Sequence, residues 1–294
     1  MKQFKGRVAV ITGAASGIGR ATALELAAAG CHLALADLNE AGLESARKQA
    51  EALGVRVTTH AVNVADLKAM ERFVEEVIAA HGGVNILINN AGVAATSAFD
   101  EQSLSDYEWL VGINFWGVVY GCKLFLPHLK RADEAHIVNI SSMFGLTGIP
   151  TQTAYCATKF AVRGFTESLW VELSPLGIGV TSVHPGMIAT NIVRAGRMSA
   201  GEEYQRAKVV DRFESQGMPP SRAAKYIVKA IRHGRQRQMI GLEAHVTDWL
   251  RRAAPALSMH LVKAIYRLGY RKSSAQSRPE APEVEPETAQ EALN

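Results

Sequence analysis

The chain has 294 residues, of which 48% are hydrophobic and 20% are charged, with 32 basic against 28 acidic residues. This length and apolar content are sufficient for a buried core and exclude an intrinsically disordered chain. The small basic excess does not indicate a nucleic-acid partner. Three scattered cysteines, Cys31, Cys122 and Cys156, are too few for a disulfide framework and lack metal-binding spacing, so we expect a reducing compartment and no metal.

The N-terminal segment lacks the apolar core and the cleavage site of a signal peptide. No uncharged apolar stretch reaches the length that spans a bilayer. We therefore expect a cytoplasmic protein that is soluble or at most peripheral to a membrane.

Short β-branched segments alternate with longer segments of helical periodicity. The predicted strands are 7–12, 32–37, 56–62, 84–89, 136–141 and 179–184, and the predicted helices are 19–29, 40–53, 67–80, 104–129 and 154–173. Parallel strands need crossover connections, so this alternation predicts an α/β fold with a doubly wound parallel sheet of the Rossmann type. Residues 188–217 are predicted to be irregular, and a helix at 222–232 and a short strand at 238–241 follow.

The expected organisation is a single domain, 1–246, with a helical extension, 247–272, and an acidic tail, 273–294. The extension has six basic residues and one acidic residue. One helical face of the extension carries four apolar residues, Leu257, Leu261, Ile265 and Leu268. Such a basic amphipathic helix can lie on an anionic membrane, although packing on its own domain or on a second copy is the simpler interpretation. The tail has five glutamates and three prolines and is predicted to be disordered.

A glycine-rich segment, Thr12-Gly13-Ala14-Ala15-Ser16-Gly17-Ile18-Gly19, connects the first predicted strand to the first helix. Glycines there let the backbone approach a pyrophosphate, which meets the N–H groups of the helix N-terminus. An ordinary strand-to-helix turn is the alternative if this motif stands alone.

Asp37 ends the second predicted strand, where a carboxylate can accept hydrogen bonds from the adenosine ribose. The same carboxylate repels a 2′-phosphate, and neither Ser16 nor Leu38 offers a cation to receive one. The sequence therefore predicts NAD(H) rather than NADP(H) as the cofactor.

Tyr155 and Lys159 are four residues apart in a predicted helix, so their side chains can converge. A neighbouring ammonium favours the phenolate form, which makes the pair a tunable acid and base. Ser141 and Ser142 end the fifth predicted strand, at the carboxyl edge where open α/β sheets bind ligands. A surface Tyr–Lys pair and a serine that caps a turn are the alternatives for each motif alone.

Together these motifs resemble the short-chain dehydrogenase/reductase family, over roughly residues 6–241. The matching motifs occur in the order Thr12-Gly13-(x3)-Gly17-Ile18-Gly19, Asn89-Asn90-Ala91-Gly92, Asn114, Ser142, Tyr155-(x3)-Lys159 and Pro185-Gly186. The catalytic serine of the family lies thirteen residues before the tyrosine, which selects Ser142 over Ser141.

The resemblance implies Tyr155 as general acid and base, Lys159 as the group that lowers its pKa and binds the nicotinamide ribose, and Ser142 as the ligand of the substrate oxygen. It implies Asn114 as the residue that completes a proton relay. Further cofactor contacts are implied at Asn63, Val64, Asn90, Ala91, Gly92, Pro185, Gly186, Ile188 and Thr190. Asn63 departs from the more common Asp, but an amide can still serve adenine as donor or acceptor. The implied chemistry is hydride transfer between nicotinamide and a carbinol carbon.

The side chains beside the matched motifs are mostly apolar, namely Val93, Ala94, Met143, Phe144, Ile149 and Met187. They predict a hydrophobic secondary alcohol or its ketone as substrate, with core packing as the alternative use. Arg194, Arg197 and Arg206 can meet an acidic substrate group, although solvated loop bases are the simpler explanation. The long helices before and after Ser142 are expected to support a homodimer.

Two other functions remain open from the sequence. One is a catalytically silent NAD(H)-binding sensor or scaffold, against which the complete set of four catalytic residues argues. The other is an NADH-dependent carbonyl or acyl-thioester reductase.

Overall fold

In the computed structural model of the chain, the described residues are 1–198 and 200–276, and the described side chains exclude 200–205, 208 and 269–276. The chain divides into two compact units, Met1–Ala253 and a second that begins at Ala254. The predicted domain boundary after Val246 lies inside the last helix of the first unit.

The strands of the first unit are, in chain order, β1 Val8–Thr12, β2 His32–Asp37, β3 Val57–Ala61, β4 Ile86–Asn89, β5 Ala95–Thr96, β6 His136–Ile140, β7 Gly179–Pro185, β8 Arg197–Met198 and β9 Arg237–Ile240. Seven of them form one parallel sheet in the order β3-β2-β1-β4-β6-β7-β9, and β5 pairs with β8. The chain leaves β3 at one edge and places β4 beside β1. The strand order thus reverses between β1 and β4, which confirms the predicted doubly wound fold.

The helices are, in chain order, α1 Gly17–Ala28, α2 Glu40–Glu51, α3 Leu67–His81, α4 Leu104–Val111, α5 Gly117–Leu129, α6 Thr153–Leu173, α7 Ala200–Gln216, α8 Pro220–His233, α9 Leu242–Ala253 and α10 Pro255–Gln276. A π-helical turn, Gly112–Trp116, joins α4 to α5. Short 3-10 turns occur at Met143–Gly145 and Ser174–Leu176.

The sheet is buried on both faces because helices cover each of them. Successive side chains of a strand point to opposite faces of the sheet, and the residues of β1 alternate between the two core clusters. Ala9 and Ile11 pack in the cluster that includes residues of α1, α2 and α8. Val8 and Val10 pack in the cluster that includes residues of α3, α5 and α6.

A buried polar network joins two central strands, β4 and β6, to the helices α5 and α6. Asn89 Nδ2 donates to Asn139 Oδ1 at 2.8 Å, and Asn139 Nδ2 donates to Thr166 Oγ1 at 3.1 Å. Asn89 Nδ2 also contacts Cys122 Sγ at 3.3 Å. Because a buried amide costs free energy without partners, this network fixes β4 and β6 against α5 and α6.

The prediction that residues 188–217 are irregular is wrong, because β8 and α7 lie within them. β8 owes its conformation to pairing with β5, a contact that no local pattern indicates. The predicted helix 104–129 is present but contains the π-helical turn. α10 extends four residues into the predicted acidic tail, and the rest of that tail, 277–294, lies outside the described residues.

Among the described residues, one helical stretch, Leu104–Leu129, is long and apolar enough to cross a membrane, with 26 residues and a mean hydropathy of 1.4. Val118, Phe125 and Leu129 of this stretch pack in the core below the sheet. Part of this stretch, 39% of its most apolar window, is therefore buried inside the protein.

Candidate active site

The glycine-rich turn between β1 and α1 brings the backbone close to the loop after β4. Gly13 has a φ of +66°, a conformation that favours glycine, and a Cβ atom there would lie 2.8 Å from Ala91 Cα. A Cβ atom on Gly19 would overlap the carbonyl oxygen of Gly13 and lie 2.5 Å from Asn90 Nδ2. The turn can form in this position only if both residues are glycine.

Polar contacts hold the same two loops together. Asn90 Nδ2 donates to the carbonyl oxygens of Thr12 and Gly13 at 2.9 and 3.0 Å. Thr12 Oγ1 accepts the N–H groups of Asn90 and Ala91 at 3.0 and 3.1 Å. Asn90 and Ala91 therefore support the glycine-rich turn, in addition to their predicted place beside the cofactor.

The N-terminus of α1 is open to a ligand at Ser16. Ser16 is exposed and precedes the helix, and its side chain makes no capping hydrogen bond. The first N–H groups of an α-helix have no partner within the helix, and they carry partial positive charge. Ser16, Gly17 and Ile18 are placed where these groups could bind a phosphate.

Asp37 lies at the end of β2, next to the glycine-rich turn. Its Oδ2 accepts the N–H of Ala15 at 3.0 Å, and its Oδ1 accepts the N–H of Asn39 at 3.0 Å. A carboxylate offers about four acceptor positions, so both oxygens retain capacity for ribose hydroxyls. Two backbone contacts orient the carboxylate beside the turn.

The other predicted cofactor contacts lie along the carboxyl ends of the strands. Asn63 is exposed, and its Oδ1 accepts the N–H of Ala65 at 3.1 Å, while Val64 is buried. Thr190 approaches the turn, since a Cβ atom on Gly17 would lie 3.1 Å from Thr190 Cγ2. Ile188 is buried in the core, Pro185 is the buried last residue of β7, and the half-buried Gly186 follows it.

Asn114 is fully buried within the π-helical turn between α4 and α5. Its Oδ1 accepts the N–H of Val93 at 2.8 Å, and its Nδ2 donates to the carbonyl oxygen of Val93 at 2.9 Å. Nδ2 also contacts Thr158 Oγ1 at 3.2 Å, on the helix that carries Tyr155. The side chain thus joins the loop after β4 to α6, and π-helical turns are frequent at functional sites.

Ser142, Tyr155 and Lys159 converge at the carboxyl end of β6. The Ser142 hydroxyl accepts the N–H of Phe144 at 3.1 Å, and it acts on Tyr155 to lower the pKa of the phenol. Lys159 is buried, its Nζ donates to the carbonyl oxygen of Ile140 at 3.0 Å, and this nitrogen lies 5.6 Å from the centre of the Tyr155 ring. Ser141 Oγ donates to the carbonyl oxygen of Lys159 at 2.8 Å, so the two adjacent serines make different contacts.

Burial is the main influence on the pKa values of Tyr155 and Lys159. It raises the pKa of Tyr155 to about 12, and the hydrogen bond from Ser142 opposes that rise. It lowers the pKa of Lys159 to about 8. The sequence predicts that Lys159 lowers the pKa of Tyr155, whereas burial is the larger influence in the structure. Tyr155 therefore carries its proton at neutral pH and can donate it.

The side chains around Tyr155 are apolar. Val93, Ala94, Phe144 and Ile192 pack in one cluster with Tyr155, and the Phe144 ring meets the Tyr155 ring edge-on at 6.2 Å. Met143 packs in a neighbouring cluster. Ile149 and Met187 are half-buried on nearby segments.

Arg194, Arg197 and Arg206 are all engaged by protein groups. Arg194 pairs with Glu214 at 2.6 Å, and Arg197 pairs with Asp106 at 2.7 Å. Arg206 Nη2 donates to the carbonyl oxygen of Gly196 at 2.9 Å. The three arginines therefore already have partners within the protein, and we do not assign them to an acidic substrate.

Sequence reasoning missed Glu243, at the start of α9. Its Oε1 accepts the N–H of Met187 at 2.7 Å, and a Cβ atom on Gly186 would overlap the same oxygen. Glu243 thus fixes the backbone that follows Pro185. The feature of the sequence that could have indicated this contact is Gly241, which has a φ of +95° and allows the chain to turn back after β9.

His184, next to Pro185 in β7, contacts the backbone of Ser142. The fully buried ring donates from Nδ1 to the carbonyl oxygen of Ser142 at 3.1 Å, and its Nε2 accepts from the Ser182 hydroxyl at 3.0 Å. Burial lowers the pKa of His184 to about 4, so the ring is neutral at physiological pH.

A glycine-rich turn at a topological switch point, with a carboxylate at the end of the next strand, defines a nucleotide-binding α/β protein. Ser142 and Tyr155 lie at the same edge of the sheet.

Comparison with known proteins places this chain more narrowly. A family model described as short chain dehydrogenase matches residues 7–200. The chain is 43% identical over 267 residues to SadH of Mycobacterium tuberculosis, covering 90% of this chain and 96% of SadH. It is 35% identical over 188 residues to the 3-oxoacyl-acyl-carrier-protein reductase FabG of Thermotoga maritima, covering 64% of this chain and 76% of FabG.

A crystal structure of a short-chain dehydrogenase/reductase from Burkholderia phymatum in complex with NAD superimposes with a TM-score of 0.80. That protein is 30% identical in sequence, and the match covers 88% of this chain and 97% of the other. The chain belongs to the short-chain dehydrogenase/reductase family and is an oxidoreductase.

Proposed function

We propose that this protein is an NAD-dependent oxidoreductase that interconverts a hydrophobic secondary alcohol and its ketone. The observation that carries the proposal is the buried Tyr155, which packs among apolar side chains and whose pKa the Ser142 hydroxyl lowers. Such a hydroxyl pair can bind a single substrate oxygen and exchange a proton with it.

The residues around the glycine-rich turn fit NAD. Gly13 and Gly19 allow a close backbone approach, and the N–H groups at the start of α1 receive no cap from Ser16. Asp37 is held beside this turn by the N–H of Ala15, where its carboxylate can accept ribose hydroxyls and would repel a 2′-phosphate. NAD in the Burkholderia phymatum structure supports the same cofactor here. When bound, NAD supplies the hydride acceptor, with a cationic ring in its oxidised form.

The protein's own residues transfer a proton to or from the substrate oxygen and hold the reacting groups in position. In ketone reduction Tyr155 Oη donates its proton to the substrate oxygen; in alcohol oxidation it must first release that proton and then accepts the one from the alcohol, while Ser142 Oγ orients the oxygen. Lys159 lies beside the Tyr155 ring and, with a pKa of about 8, can exchange a proton near neutral pH. Asn114 keeps α6 in register with the loop after β4 through Val93 and Thr158.

The apolar surroundings of Tyr155 support an apolar substrate. Val93, Ala94 and Phe144 offer no charge, and the nearby Arg197 is paired with Asp106. A charged substrate would lose its hydration at such a site without gaining a partner.

The test follows the absorbance of reduced nicotinamide during incubation with NAD or NADP and secondary alcohols of increasing size and apolarity. Tyr155→Phe removes the proton carrier and keeps the ring, so we expect NADH binding to persist and turnover to fall by at least about a hundredfold. Tyr226→Phe is the matched control. Tyr226 belongs to α8 and packs in the cluster that includes α1 and α2, whereas Tyr155 packs in a different cluster.

Turnover with NAD that increases with substrate apolarity and disappears in Tyr155→Phe supports the proposal. Full activity of Tyr155→Phe would refute the mechanism. NADH binding without turnover of any alcohol or ketone favours the sensor or scaffold alternative. Oxidation of NADH only by an acyl thioester favours the reductase alternative, in line with the similarity to FabG.

A homodimer formed through α5 and α6 is also part of the proposal. α6 exposes Phe160 and Trp170, and the π-helical turn before α5 exposes Trp116. Light scattering during size-exclusion chromatography tests it, and a monomeric mass at micromolar concentration would contradict it.

A further inference from the structure

α10 presents an apolar stripe that its own chain leaves exposed. Leu257, Leu261, Ile265 and Leu268 recur at intervals of three and four residues and so share one face of the helix. Their exposed fractions are between 54% and 70%. The four side chains thus form one exposed apolar stripe along the helix.

The charge around this stripe is entirely basic. Between Asp248 and Glu280 the sequence has seven basic residues and no acidic residue. Lys263 and Arg267 are exposed on the face that adjoins the stripe. Long basic side chains in this position can extend to lipid head groups while the apolar face enters the acyl boundary.

The preceding helix, α9, has an exposed apolar face of its own. Leu242, Val246 and Trp249 follow the same helical spacing, with exposed fractions of 77%, 46% and 67%. Tryptophan is enriched at the boundary between lipid and water because its ring is apolar and its N–H is polar. Two successive helices thus expose apolar faces with basic residues next to them.

We propose that α10 docks this protein onto an anionic membrane surface, lying parallel to the bilayer plane. The stripe from Leu257 to Leu268 spans about 17 Å, which is shorter than the hydrocarbon core, so the helix cannot span the bilayer. A second copy of the chain would bring the same basic residues to the interface, whereas anionic lipid supplies the opposite charge. The docking uses none of the residues in the proposed catalytic site.

The experiment measures flotation of the full chain with phosphatidylcholine vesicles that contain or lack about 30 mol% phosphatidylglycerol. We expect binding only to the anionic vesicles, and a decrease when salt rises from about 0.05 to 0.5 M. Lys263→Glu with Arg267→Glu should lower the partition coefficient by at least about tenfold. Leu261→Gln with Ile265→Gln should lower it by a similar factor, through loss of buried apolar area.

Matched controls separate this surface from general changes in charge and hydrophobicity. Lys225→Glu with Lys229→Glu changes the net charge equally on exposed positions of α8. Leu53→Gln with Leu176→Gln removes two exposed leucines from the first unit. Both control variants should bind vesicles like the original chain.

Failure of the original chain to float with anionic vesicles would overturn the proposal. Equal loss of binding in the control variants would also overturn it. A dimer that dissociates in Leu261→Gln with Ile265→Gln, without vesicle binding by the original chain, would assign the stripe to self-association instead. Because each readout is independent of turnover, failure here is distinguishable from failure of the proposed enzyme activity.

Discussion

Gly19→Ala tests the close approach on which the nucleotide-binding turn depends. In a helix interior, alanine is more favourable than glycine by about 1 kcal/mol, so propensity alone predicts a more stable protein. The added Cβ atom, however, would lie 2.5 Å from Asn90 Nδ2 and closer still to the Gly13 carbonyl oxygen. Backbone atoms in a packed turn cannot move aside cheaply, and overpacking costs about 1–3 kcal/mol. We expect a net loss of about 1–2 kcal/mol in the free energy of unfolding.

The matched control is Gly164→Ala, in the exposed middle of α6. A Cβ atom on Gly164 meets nothing within 4 Å, so only the propensity term remains. This variant should gain up to about 1 kcal/mol, and the two variants should differ by about 2–3 kcal/mol.

Urea unfolding measures both free energies, and NADH fluorescence measures the effect on binding. Displacement of Gly13 moves the backbone that would face the pyrophosphate, so Gly19→Ala should weaken NADH binding at least about tenfold. The reasoning fails if Gly19→Ala is as stable as Gly164→Ala and binds NADH with unchanged affinity.

Three other predictions address the cofactor, the acid response and the loop after β7. Asp37→Asn removes the charge that repels a 2′-phosphate and should reduce the preference for NAD over NADP by at least about tenfold in kcat/KM; an unchanged ratio would contradict the role of Asp37. The pKa of His184 falls from 6.5 to about 4 on folding. Below pH 6.5 the unfolded chain therefore binds a proton at His184 that the folded chain does not bind. The free energy of unfolding should have its full value above pH 6.5, be lower by about 2 kcal/mol at about pH 5, and level off below about pH 4. His184→Gln should remove that part of the pH dependence in urea titrations, and a slope equal to that of the original chain would argue against it. Glu243→Ala removes the acceptor of the Met187 N–H and should raise KM for NAD about three- to tenfold with a smaller change in kcat, while Glu243→Gln should restore it. Equal effects of both substitutions would assign the carboxylate charge, rather than its positioning contact, as the important property.

The sequence by itself determined the fold class and predicted which residues form the site. Buried parallel strands are runs of apolar residues between helices of regular periodicity, and this pattern is local, so strands such as 136–141 were predicted to within a residue. Ser142, Tyr155 and Lys159 were identified because separated motifs matched one family, and the parallel sheet brings their positions to one edge.

Only the tertiary structure decided what each of these groups contacts. The pKa of Tyr155 depends first on its burial, which is produced by residues far away in the sequence. Glu243 reaches Met187 across 56 positions of the chain, and β8 exists because β5 is beside it. Such contacts leave no periodicity in the sequence. Local pattern therefore predicted the elements, whereas burial and long-range hydrogen bonds, which set the chemistry, required the folded chain.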